Sequence, residues 1–281
     1  MRIGNSCGFE IYGEQAYTKM KSFGYDCHDF NMPDTTKELY TLPISEAESI
    51  LKARKKMAVD AGIEIWQVHG PWRYPPKDLE PEDRAERTEV MKRCLYMTSV
   101  LGCKRCIIHP IMPFGIEDKL IGKEKDTFDM NVEFFGNLLQ TAKDCDVTIC
   151  YENMPFLDFS ISLPEDIIRV IDTVNDSNFK MCFDTGHVGA FEVPIGDEVR
   201  RCGDRIEAFH IHDTKCSLDL HLIPGYGIID WHDFSNALKD IAFEGCFSFE
   251  TAPPTKFPMN IYEEQNRGLV NIAKAIINGE F

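Results

Sequence analysis

The sequence predicts an α/β fold, a single (βα)8 TIM barrel spanning 1–281, and three observations carry that expectation. The 281 residues exceed an ordinary α/β domain but suit an eight-stranded barrel, which needs about 250. Short apolar, β-branched runs alternate with longer amphipathic runs along the chain, the pattern of parallel strands joined by right-handed helical crossovers. Several of the apolar runs are nearly unbroken, as strands buried on both faces are. An open doubly wound sheet is the alternative, weakened because no GxGxxG follows the first strand.

The strand candidates are RIGNSC (2–7), GYDCHDF (24–30), IEIWQVHG (63–70), RCIIHP (105–110), VTICYEN (147–153), KMCFDT (180–185), IEAFHIHD (206–213) and CFSFE (246–250). Each is short and rich in β-branched or aromatic residues. Helical periodicity covers 45–61, 81–101, 127–145, 164–174, 231–242 and 261–277. Ser45 and Glu48 have capping-box spacing at the start of the first helix. In PGYGIIDW (224–231), Gly225 and Gly227 permit tight turning, and Asp230 can cap a helix that starts at Trp231.

Composition narrows the function. An apolar content of 43% supports a large core, and no low-complexity block or linker divides the chain. The N-terminus MRIGNSCGFE has no apolar signal region, so a cytoplasmic location is expected. No window approaches 18 unbroken apolar residues, which argues against a membrane span. Thirty Lys+Arg against 46 Asp+Glu give a net charge of −16, which repels phosphate backbones and disfavours nucleic acid as a partner. Eleven cysteines scattered through strand-like runs read as reduced thiols. The single CxxC, Cys103 to Cys106, has no second pair to complete a zinc knuckle.

The positions of the polar residues are the most informative feature. His69 ends the third strand, His109 the fourth, Glu152 the fifth and Asp184 the sixth. His210 lies late in the seventh and Glu250 ends the eighth. In a parallel barrel these C-terminal ends share one face, so six distant residues converge on one bowl. A lone polar residue leaving a strand is ordinarily the start of a loop. Six in succession point to a site. His28, at the end of the second strand, fits either a pocket residue or a satisfied core histidine. Trp72, Tyr74 and Phe114 lie just beyond strand ends and could stack on a ligand's apolar face or merely pack in loops.

The motifs YENMP, CFDTGH, FHIHD with DLHLIPGYGIIDW, and FSFE resemble those of the xylose-isomerase-like superfamily of sugar isomerases and epimerases, to which type IV abasic-site endonucleases also belong. The resemblance runs from VHGPW at 68–72 to Glu250. It implies a divalent metal held by Glu152, Asp184, His210 and Glu250. The family's HxxD matches His210 to Asp213, which selects His210 over His212 as the ligand, although both face the same way on a strand. Three carboxylates and one imidazole form a hard site suited to Mn²⁺, Mg²⁺ or Co²⁺, with Zn²⁺ also able to bind. Asp213 is the nearest acceptor in sequence for the second nitrogen of a ligating histidine.

The stretch from 210 to 221 holds more ligands than one ion needs. Asp219 and His221 share one side of an extended segment, and His187 follows Asp184 by three residues. In the endonuclease branch, positions matching His69, His109, His187, Asp219 and His221 complete a three-zinc cluster. In the sugar branch such residues bind substrate hydroxyls around one metal, and a loop hydrogen-bonding its own backbone is a third reading of Asp219 and His221.

The resemblance to ketose 3-epimerases implies that Glu152 and Glu250 act as an acid/base pair through an enediolate. His69, His109, His187, Lys215 and Trp72 would bind substrate. The arginine that often follows the seventh strand in that family is absent: position 216 is Cys, and Lys215 is the nearby cation. A metal-dependent sugar or sugar phosphate isomerase or epimerase is therefore expected, and the resemblance is compatible with a homo-oligomer. The alternatives are a lyase dehydrating a keto-hydroxy acid, a three-zinc abasic-site endonuclease, and a non-catalytic sugar-binding protein.

Overall fold

The computed structural model describes residues 1–6, 10–72 and 75–281. In chain order the strands are β1 (Arg2–Asn5), β2 (Cys27–Asn31), β3 (Glu64–His69), β4 (Arg105–Ile108), β5 (Thr148–Glu152), β6 (Phe179–Asp184), β7 (Ile206–His210), β8 (Asp213–Lys215), β9 (Leu218–Leu222) and β10 (Cys246–Phe249). Eight of them form one sheet in the order β10-β1-β2-β3-β4-β5-β6-β7, parallel throughout. Its two edges meet. Ile211 donates its N–H to Ser248 O at 2.8 Å and accepts from the Glu250 N–H at 3.0 Å. The expected barrel is present, and β8 with β9 forms a separate antiparallel hairpin above it.

The helices are α1 (Ala16–Phe23), α2 (Glu38–Thr41), α3 (Ile44–Asp60), α4 (Pro81–Leu101), α5 (Glu124–Asp144), α6 (Pro164–Val174), α7 (Thr185–Gly189), α8 (Ile195–Cys202), α9 (Trp231–Asp240) and α10 (Met259–Asn278). The six periodic segments all became helices. Four further helices, α1, α2, α7 and α8, have eight residues or fewer, too short for periodicity to register. Ser45 is not a cap. The backbone of Pro43 turns the chain so that α3 begins at Ile44, one residue before Ser45. Asp230 does cap α9, accepting the Asp233 N–H at 2.9 Å. The run 206–213 is not one strand: it breaks after His210, and the chain re-enters a strand at Asp213. The expected first strand ends at Asn5, and Cys7 lies outside the described residues.

Strand alternation divides the core into two shells. Outward aromatic residues such as Phe183, Phe209, Phe247 and Phe249 pack beneath the helices, against Phe234 and its neighbours. Each such side chain contributes about 1.5–3 kcal/mol by leaving water. Two smaller apolar groups lie apart from this cluster, Cys150, Cys182 and Ala208 with Ile107, and Cys27 and Cys246 beside Trp66. At the opposite end from the mouth, the Arg105 guanidinium lies 3.7 Å from the Trp66 ring centroid. The described cysteines are free thiols, most of them buried. No helix among the described residues is long and apolar enough to cross a membrane.

Candidate metal centre

Each expected ligand reaches the mouth because its strand places it on the inner face. In β5, Ile149 and Tyr151 turn out to the core while Cys150 and Glu152 turn in. The same alternation sends Asp184 and His210 inward from β6 and β7. Glu152, Asp184, His210 and Glu250 bring one donor atom each within 4.8 Å of one another. His210 Nδ1 is their hub, 2.6 Å from Glu152 Oε1, 3.0 Å from Glu250 Oε2 and 3.9 Å from Asp184 Oδ2.

Glu152 also faces His109, with Oε2 2.8 Å from Nε2, and His69, at 3.6 Å. The His69 and His210 rings stack at 5.4 Å and 14°. Asp184 links this group to a second. Its Oδ1 caps α7 through the His187 N–H at 2.7 Å and lies 3.0 Å from His212 Nε2. Asn153 holds Asp184 from behind, accepting its N–H at 2.8 Å and donating to its carbonyl at 3.1 Å. The second group is His187, His212, Asp219 and His221. Asp219 Oδ2 lies 3.4 Å from His187 Nε2 and 3.2 Å from His221 Nε2, while His212 and His221 stack at 4.1 Å.

Burial and charge oppose each other here. Burial alone raises the Glu152 carboxyl, but His210 and His109 override it and hold it well below the usual range. Glu250 is likewise lowered, by His210 against burial. Burial disfavours charge on His187, yet Asp184 and Asp219 push it up to about 10. Asp219 and Glu250 raise His221 to about 9. His109 goes the other way, down to about 4, because burial outweighs Glu152. The pocket thus concentrates anionic oxygens that imidazolium groups neutralise, a balance a divalent cation can replace. Among the described residues, Glu152 Oε2 and Glu250 Oε2 lie beside His109 Nε2 and His210 Nδ1 without an aligned hydrogen-bond donor, as oxygens open to a cation would. The donor set therefore fits a divalent metal.

The family model described as Xylose isomerase-like TIM barrel matches residues 17–270. The chain belongs to the xylose-isomerase-like TIM barrel family. It is 28% identical over 204 residues to a D-psicose 3-epimerase of Ruminiclostridium cellulolyticum, a match covering 70% of this chain and 66% of that one. A D-psicose 3-epimerase of Enterocloster bolteae matches at 29% over 114 residues, 40% of this chain and 36% of that one. The chain thus matches less than two thirds of the length of these relatives. A probable endonuclease 4 of Acholeplasma laidlawii is 25% identical over 225 residues, 74% and 72% of the two chains. A crystal structure of the IOLI protein with a binding zinc atom shares the fold, with a TM-score of 0.77 at 18% identity, covering 100% and 99%.

Not every residue expected at this family site is brought into it. Trp72 lies edge-on to the His109 ring at 4.4 Å, so it borders the inner group. Lys215 is exposed at the end of β8. Phe114 instead packs beneath the Lys123 ammonium. His28 turns out to the helix layer, against Tyr17 and Phe30, where it lines a cavity whose walls include none of the four expected ligands. Tyr74 lies outside the described residues.

One expectation is corrected. Asp213 does not support His210. Its carboxylate accepts the N–H groups of Gly225, Gly227 and Ile229 and the indole N–H of Trp231, at 2.9, 3.1, 3.2 and 3.0 Å. A Cβ on Gly227 would overlap that carboxylate, so glycine is required there. Proximity in sequence misleads because Asp213 lies past the strand break, among the loop's donors. The acceptor beside His210 is Asp29, 181 residues earlier, at 2.9 Å from Nε2. Its only sequence signal was an acidic residue beside His28 inside a strand, where one of the two must face the barrel interior.

Proposed function

We infer that this protein is a divalent-metal-dependent isomerase or epimerase of a sugar or sugar phosphate. The observation that carries the reading is the pairing of Glu152 and Glu250 at one imidazole nitrogen, His210 Nδ1, within a buried four-donor group. Glu152, Asp184, His210 and Glu250 would hold the ion, with Mn²⁺, Mg²⁺ or Co²⁺ favoured by the three carboxylates. A bound divalent cation would offset the negative charge that grows on a carbonyl oxygen when an adjacent carbon loses its proton.

The protein's own groups move that proton. One of Glu152 and Glu250 takes it from the carbon beside the carbonyl, and the other returns a proton to the opposite face. Each glutamate would hold the ion through one carboxylate oxygen and serve as acid or base through the other. His187, His69 and His109 orient substrate hydroxyls, Trp72 presents an apolar edge, and Lys215 supplies the exposed cation at the mouth. The relatives named as D-psicose 3-epimerases support the sugar class.

The test is incubation of Mn²⁺-loaded protein with a panel of ketoses and their phosphates in D₂O. Epimer or isomer carrying deuterium at the reacting carbon is expected. Loss of water in place of a new stereocentre would replace the reading with a lyase. A second reading has one observation in its favour: His69/His109/Glu152 and His187/His212/Asp219/His221 are donor groups beside the first, so three ions could bind. Three metal ions per chain together with nicking of abasic DNA would establish an endonuclease. The net charge of −16 works against it.

A further inference from the structure

We propose that Asp29 is the positioning residue that selects which nitrogen of His210 faces the cation, an inference resting on the reading of His210 as a ligand. Asp29 is 1% exposed and sits inside the barrel beneath the mouth. Its Oδ2 accepts from His210 Nε2 at 2.9 Å and from Gln67 Nε2 at 2.8 Å. Gln67 Nε2 also donates to the Phe209 carbonyl at 3.1 Å, so the clamp grips the backbone next to His210 as well.

Local backbone geometry builds this contact. The β2–β3 register shifts between His28 and Asp29, which pair with Ile65 and Gln67 and skip Trp66. A bulge of this kind re-aims a side chain, and bulges concentrate beside active sites. Here it sets Asp29 opposite Gln67 and under His210.

Packing alone does not account for the carboxylate. Asp29 Oδ1 has no hydrogen-bond donor among the described residues, and a buried carboxylate left half-satisfied is costly. An apolar residue of similar size would fill the same space. An ionised carboxylate can only accept, so it fixes a proton on His210 Nε2. Nδ1 then presents its lone pair toward Glu152, Glu250 and Asp184. The His69 ring, stacked on His210, holds the imidazole plane.

The test compares Mn²⁺ binding by metal-free wild type, Asp29→Asn and Asp29→Ala, counting free Mn²⁺ by electron paramagnetic resonance. Affinity is expected to fall roughly 10–100-fold in both variants, the usual effect of removing such a partner. Turnover lost on dilution should return with excess Mn²⁺. A folded Asp29→Asn that binds Mn²⁺ within twofold of wild type overturns the proposal. If neither variant folds, the wild type still decides. In the Zn²⁺-loaded protein, ¹⁵N spectra should show a proton on His210 Nε2 and coordination at Nδ1; the reverse assignment overturns it. Tight Mn²⁺ binding without conversion of any ketose would remove the proposed reaction while leaving the role of Asp29 intact.

Discussion

The two donor groups at the mouth are built from different material. The inner group, Glu152, Asp184, His210 and Glu250, stands on or immediately beyond β5, β6, β7 and β10, and three of its members are fully buried. Half of the outer group rides on the β8–β9 hairpin: Asp219 and His221 are exposed on β9, while His187 and His212 are buried below. The hairpin turn and β9 place Cys216, Ser217 and His221 in the left-handed region, at φ of 60°, 53° and 45°. Such backbone costs free energy in non-glycine residues and persists only where the surroundings hold it. The inner site is therefore set by the barrel itself, whereas the outer one depends on how the hairpin closes. Chemistry needing fixed geometry belongs to the first.

The largest effects should follow from the inner group. Glu152→Gln and Glu250→Gln are each expected to lower turnover by about 10²–10⁴-fold, measured with Mn²⁺ saturating. If either keeps full activity, the paired-glutamate account fails. His210→Ala should come next. It leaves Glu152, Asp184 and Glu250 facing one another without their shared imidazole, which should destabilise the metal-free protein by about 3–5 kcal/mol, read from chemical denaturation. An unchanged midpoint would mean that His210 does not neutralise the group.

The hairpin and its loop should respond more mildly. Asp213→Ala removes the acceptor of the Gly225, Gly227, Ile229 and Trp231 donors. A loss of roughly 1–3 kcal/mol is expected, with turnover reduced less than in Glu152→Gln. The smallest effect on turnover should come from Gly186→Ala, where the added Cβ would overlap the His212 ring. Displacing that ring should weaken any second ion while leaving the first in place, as a Mn²⁺ titration would show. Turnover falling as far as in Glu152→Gln would instead mean that the outer group takes part in proton transfer.

The inner group was legible because the apolar runs finish in chemical residues: Glu152, Asp184 and Glu250 end their strands and His210 lies late in its own, so a parallel barrel gathers them on one face. The family resemblance then singled out these four as ligands. Six helices were likewise visible from periodicity, α4 and α6 with the same bounds. What escaped was set by tertiary contact or by irregular backbone. Asp29 matters through a bulge that shifts the register, and no residue pattern announces a bulge. Asp213 was assigned to His210 by nearness in sequence, while the break after β7 gave it to the glycine loop. The short helices α7 and α8 carry too few turns for an apolar stripe to stand out.

The most direct measurement is an anomalous difference map from a crystal of this protein soaked with Mn²⁺. The expected result is a strong peak bounded by carboxylate oxygens of Glu152, Asp184 and Glu250 and by His210 Nδ1, present in wild type and absent in His210→Ala. A peak confined to the His187, His212, Asp219 and His221 group, or none at the barrel mouth, would contradict the account.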